Sequence, residues 1–161
     1  MRRELKRIAQ ISFVLCLLTT LQSLSSHGQD AKSAQEEEIR EAIVRYQIAN
    51  WDLNAKIYFI SIGDKDPVKQ FLERFADLKY PVKGKSASEL DKGVMRWVVE
   101  KKTKKMGVIF DQGLLQWTND TKVNVDGGYH CGSLCSASGT YHVERRDSRW
   151  VVTGFDVTFR S

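Results

Sequence analysis

The chain has 161 residues, with 25 Lys and Arg against 20 Asp and Glu, a formal charge of +5 and 42% hydrophobic side chains. That size suits one domain around one core. Four of the basic residues, Arg2, Arg3, Lys6 and Arg7, crowd into the first seven positions, so the overall charge is poor evidence for nucleic acid, and the lysine turn over 101–105 lacks the interleaved aromatics such binding would use.

That basic head, the apolar run over residues 11–21 and the small residues Ser26 and Gly28 read as an export leader cleaved after Gly28. The apolar run falls short of the roughly 20 residues of a membrane span, so no transmembrane segment is expected in the mature chain. Removal of residues 1–28 leaves 133 residues, 21 basic against 19 acidic, in the periplasm or outside the cell.

Residues 29–35 read as a flexible lead-in, and a single domain is expected over 36–161. Glu36, Glu37 and Glu38 complement a helix N-terminus, and Ile39, Ala42, Ile43 and Tyr46 follow at helical spacing, predicting a helix over 35–49. Residues 56–62 are rich in β-branched and aromatic side chains, stop at Gly63 and predict a short strand. A second helix is predicted over 66–78, with Asp66 as N-cap, Pro67 as first helical residue and a stripe of Val68, Phe71, Leu72 and Phe75. Residues 82–92 have no period and read as loop.

From Val94 onward the pattern is that of antiparallel strands, over 94–101, 105–111, 114–118, 123–131, 140–146 and 149–159. The expected fold class is therefore α+β, with two or three N-terminal helices packed on a curved antiparallel meander. If Cys131 lies opposite Cys135 across a three-residue loop, the numbers of every cross-strand pair sum to 266. One face then receives Val123 with Val143, Val125 with Tyr141 and Tyr129 with Ala137. The other receives Asn124 with His142, Asp126 with Thr140 and His130 with Ser136, so polarity segregates by face. A Cys131–Cys135 disulfide suits an exported protein and this spacing. His130 and His142 complete a Cys2His2 set by type, but the register separates them from the thiols, so no metal site is expected.

Two further groups carry potential chemistry. Asp126 and His142 are diagonal neighbours on the polar face, where a carboxylate could orient an imidazole as general base. Tyr58, Trp117, Tyr129 and Tyr141 are placed to wall a cavity between sheet and helices, where they would orient a small ligand. No cofactor-binding motif is present and no cofactor is expected.

The residues Val123-x-Val125-x-Gly127-Gly128-Tyr129, Gly139-x-Tyr141-x-Val143 and Arg146-Asp147-x-x-Trp150-Val151-Val152 resemble small exported bacterial proteins of uncharacterised function. The order of helices before a coiled meander is similar to nuclear transport factor 2-like domains, within the cystatin-like architecture. That resemblance implies a shape that hosts isomerases, cyclases, ligand binders and protein-interaction modules, and it carries over no site residue. The leading expectation is an exported, non-enzymatic module that binds a small ligand or an envelope protein. The alternatives are a small lyase, isomerase or hydrolase using Asp126 and His142, and a homo-oligomeric scaffold assembled through an uncovered sheet edge.

Overall fold

The computed structural model describes residues 32–51 and 53–161. The expected leader and the first residues of the lead-in lie outside them. The chain separates into units Met1–Glu36 and Glu37–Ser161, and the sheet and its core belong to the second. Helix α1 runs through residues 32–50, so residues 32–35 are helical where a flexible lead-in was expected. Lys32, Ala34 and Gln35 are strong helix formers, and they extend the helix ahead of the acidic turn.

Strand β1 (Tyr58–Ile62) follows, then helix α2 (Lys69–Glu73), which is far shorter than the 66–78 expected. The capping carboxylate is diverted. Asp66 instead accepts from the Ser86 backbone N–H and hydroxyl, and Val68 takes the N-cap position in extended conformation with no side-chain cap. Past Arg74 the chain continues on i→i+3 bonds such as Phe75 N–H to Leu72 O and Leu78 N–H to Phe75 O. The apolar stripe still works, because Phe71 and Phe75 are buried against Val44 and Ile60.

The stretch expected as loop holds β2 (Val82–Gly84), a 3-10 turn (Lys85–Ala87) and β3 (Ser88–Leu90), each too short to show a period. β4 (Val98–Glu100) is also short, because Arg96 has a left-handed φ of 47° that breaks the extended run from Val94. β4 pairs with β3, and through Val99 it bridges Met106 ahead of β5, so it lies outside the meander. The small β3–β4 sheet places Val98 with Ile57, Phe59 and Ile109 in one buried cluster.

Four long strands form the rest: β5 (Val108–Asn119), β6 (Lys122–Gly132), β7 (Cys135–Arg146) and β8 (Arg149–Arg160). Gly113 was expected to separate two strands, but β5 runs through it with a register irregularity between Gln112 and Leu115. The main sheet has the order β2-β1-β5-β6-β7-β8. β1 is parallel to both neighbours, and the β5–β8 meander is antiparallel. The fold is thus α+β with a mostly antiparallel sheet and two α-helices among the described residues.

The β6–β7 hairpin keeps the 266 register from Lys122 with Glu144 to His130 with Ser136. It then slips, so that Gly132 faces Cys135 across the two-residue turn Ser133-Leu134. The tip is held from outside: the Ser133 N–H donates to Met95 O, and Gly132 lies so close to Trp97 and Met95 that a side chain there would collide. Cys131 and Cys135 form a disulfide with Cα atoms 5.2 Å apart.

Candidate functional site

The inner face of the meander is filled. Ile39 and Ile43 of α1 are fully buried on Val123, Val125, Tyr141 and Val143. Trp51, just past α1, sets its ring 4.4 Å from Tyr129, 5.4 Å from Phe155 and 6.3 Å from both Phe110 and Tyr141, centroid to centroid. Tyr141 stacks on Phe155 at 4.4 Å, Trp117 meets Trp150 edge-on at 5.6 Å, and Tyr58 stacks on Phe110 at 5.8 Å. The four aromatics expected to wall a cavity all pack with other rings of the core, and two of them also line surface hollows, Tyr129 one of about 410 Å³ and Tyr58 one of about 280 Å³.

Polar bridges also cross between α1 and the sheet, and the most buried is made by Gln47. Gln47, fully buried, donates through Nε2 to Gly128 O at 3.0 Å and to the Tyr141 hydroxyl at 2.8 Å. Burial pushes the Tyr141 phenol far above its ordinary range, an effect that the Gln47 bond only partly offsets. The folded state therefore keeps a proton that the unfolded chain gives up near pH 10. This contribution to stability is complete below about pH 10 and is lost as the pH rises above it. Urea unfolding from pH 8 to pH 11.5 should show the stability gap between wild type and Tyr141→Phe narrowing through the upper part of that range; a constant gap would contradict a buried neutral phenol.

On the opposite, open face, alternate residues of β6, β7 and β8 present polar side chains. Asp126 accepts from the Thr140 hydroxyl at 2.7 Å and from Gln116 Nε2 at 3.0 Å. His142 does not pair with Asp126. Its Nδ1 lies 2.9 Å from Asn124 Oδ1 and its Nε2 2.9 Å from Asp156 Oδ2. Asp156 comes from β8, where it stands opposite Thr140, and so lies diagonal to His142. Both ring nitrogens thus lie within hydrogen-bond distance of protein oxygens. Asn124, His142 and Asp156 form a cross-strand clasp over β6, β7 and β8. Among the described residues, no three His, Cys, Asp or Glu side chains converge as a metal-binding group.

The same face carries a groove of about 410 Å³, lined by residues of β5 to β8. One row across the four strands reads Asp111, Gly128, Ser138, Phe159, which are successive cross-strand partners. Asp126, Thr140 and Thr158 also line the groove. Gly128 leaves bare backbone in the middle of the row, while Phe159 at its end is 56% exposed. Lys85 reaches Asp111 and Asp64 at 3.4 Å each. Partial burial works against the Lys85 charge, but the two carboxylates outweigh it and hold its pKa above the ordinary lysine value. The groove thus joins a carboxylate beside a fixed ammonium, a second carboxylate, the four hydroxyls of Ser136, Ser138, Thr140 and Thr158, and an exposed ring.

Sequence reasoning placed Asp126 on this face but missed Asp111, Ser138, Asp156, Thr158 and Phe159. The alternation in β5 and β7 signals Asp111 and Ser138, whereas bulges in β8 hide the rest. No protein-family model matches the chain, and neither curated proteins nor solved structures match it.

Proposed function

We propose that this chain is an exported, non-enzymatic binding module of nuclear transport factor 2-like or cystatin-like architecture, which takes a small polar ligand on the open face of its meander. The observation that carries this reading is the division of labour between the faces. The aromatics are packed together under α1, while the hydroxyls, two aspartates and an exposed phenyl ring converge on a groove on the other side. Its volume lies within the range of small-molecule sites, roughly 300–1,000 Å³. The mixture of hydroxyl and carboxylate acceptors beside an aromatic face suits a neutral or weakly cationic polar molecule.

The engagement of both His142 nitrogens argues against the acid/base alternative, since it leaves Asp126 without an imidazole partner. Native mass spectrometry of the chain purified from its own host tests the reading. A retained small molecule is expected, and Asp126→Lys, which fills the groove with a long cation, should lower its occupancy at least about tenfold. Equal retention by the variant, or turnover of a substrate that His142→Ala abolishes without lowering the melting temperature, would contradict the proposal.

A further inference from the structure

The outer edge of β8 is unpaired among the described residues, and β8 is 12 residues long. The opposite edge of the main sheet, β2, has only three. From its side chains we infer that β8 pairs with β8 of a second copy of this chain, antiparallel about a two-fold axis between Val152 and Thr153. In this register Arg149 stands opposite Asp156, Trp150 opposite Phe155 and Val151 opposite Gly154 of the second copy. The three pairs also occur in reverse by symmetry.

Two observations select this register. The first is the bulge in β8 between Val152 and Gly154, which makes side chains change face at Thr153. Trp150 and Phe155 therefore lie on the inner face, with Arg145 and Tyr141 as their β7 partners, while Arg149 and Asp156 lie on the open face, opposite Arg146 and Thr140. A two-fold at the bulge brings inner face to inner face and open face to open face. The second is charge. Arg149 is exposed and makes no ion pair among the described residues, and the Asp156 side chain is 78% exposed. The register sets these opposite charges across the new edge twice. Sliding the two strands to full overlap would instead oppose Arg149 with Arg160 and bring Trp150 against Phe159, which lies on the other face. Pairing would also satisfy an edge that is open to other chains, for which the bulge and the flanking arginines are only partial protection. The dimer carries Phe159 and the groove outward on each protomer, beside the Asp147-Ser148 turn of the second copy.

Sedimentation of the full chain over a range of concentrations tests the inference. A reversible dimer is expected. Arg149→Asp alone and Asp156→Arg alone should each raise its dissociation constant at least about tenfold, and the double swap should restore association. Thermal unfolding of each variant separates loss of pairing from loss of fold. Should Asp156→Arg unfold through its loss of His142, Thr153→Lys, which sets two lysines beside the axis, gives the same readout by driving the dimer apart. A monomer at every concentration overturns the inference, as does a dimer indifferent to these changes or one not restored by the swap.

Discussion

Gly128→Ala is expected to destabilise the fold by about 3 kcal/mol or more, and to lower the melting temperature by roughly 10 °C. A Cβ added there would stand 1.9 Å from Ala137 O and 2.8 Å from the Ser138 Cα. Both obstacles are backbone, so relief requires β6 and β7 to move apart rather than a side chain to turn. The neighbouring positions repeat the constraint: a Cβ on Gly127 would meet Asp111 O at 2.3 Å, and one on Gly139 would meet Asp156 O at 2.0 Å. Three glycines in adjacent rows thus let four strands approach closely across the middle of the meander, where β5 and β8 also carry their irregularities. Gly154→Ala is the control, since its Cβ would find only His142 Cδ2 at 3.6 Å. That change should stay within about 0.5 kcal/mol of wild type. Similar losses for Gly128→Ala and Gly154→Ala would contradict close strand approach as the reason for glycine at 128, since the smaller chain entropy of alanine alone would stabilise the fold.

Tyr141→Ala should cost about 3–5 kcal/mol, enough to leave much of the chain unfolded near its growth temperature. The side chain is fully buried among Tyr46, Trp51 and Phe155, and it accepts the second donor of Gln47. Tyr141→Phe keeps the ring and removes only the hydroxyl, so its cost should be nearer 1–2 kcal/mol, most of it from the unpaired Gln47 N–H. Chemical denaturation of both variants divides packing from hydrogen bonding. A small loss in the alanine variant would show that the inner face tolerates a void and is not closed around this ring.

The two halves of the chain differed in how much of their fold could be read in advance. In the β6–β7 hairpin, strict alternation, two cysteines and a short turn all demand one register, and the structure adopts it until the tip. In the earlier half, the decisive interactions are tertiary. Asp66 has the look of a helix cap, yet Ser86, twenty residues away, takes its carboxylate, and no local pattern announces that competition. β2, β3 and β4, at three residues each, are too short for a period to emerge.

The site was legible to the same extent as the register. The β7–β8 turn sets Arg146 against Arg149, and an unbroken ladder from there would oppose His142 with Thr153 and Ser138 with Val157. The structure opposes them with Gly154 and Phe159 instead, after one slip at Thr153 and another at Thr158. Those two bulges bring Asp156 to His142 and turn Phe159 onto the groove. They have no signature in the hydrophobic pattern, so a carboxylate for His142 was sought on β6, in Asp126, when the partner stands on β8.

Hydroxyl-radical footprinting of the protein as isolated from its host, compared with the same protein stripped of small molecules by unfolding and refolding, tests the functional division of the two faces most directly. Protection of Phe159, with oxidation of Tyr58 and Tyr141 unchanged, is the predicted result. Protection of those tyrosines with Phe159 unaffected would place the ligand beneath α1 and contradict a closed inner face.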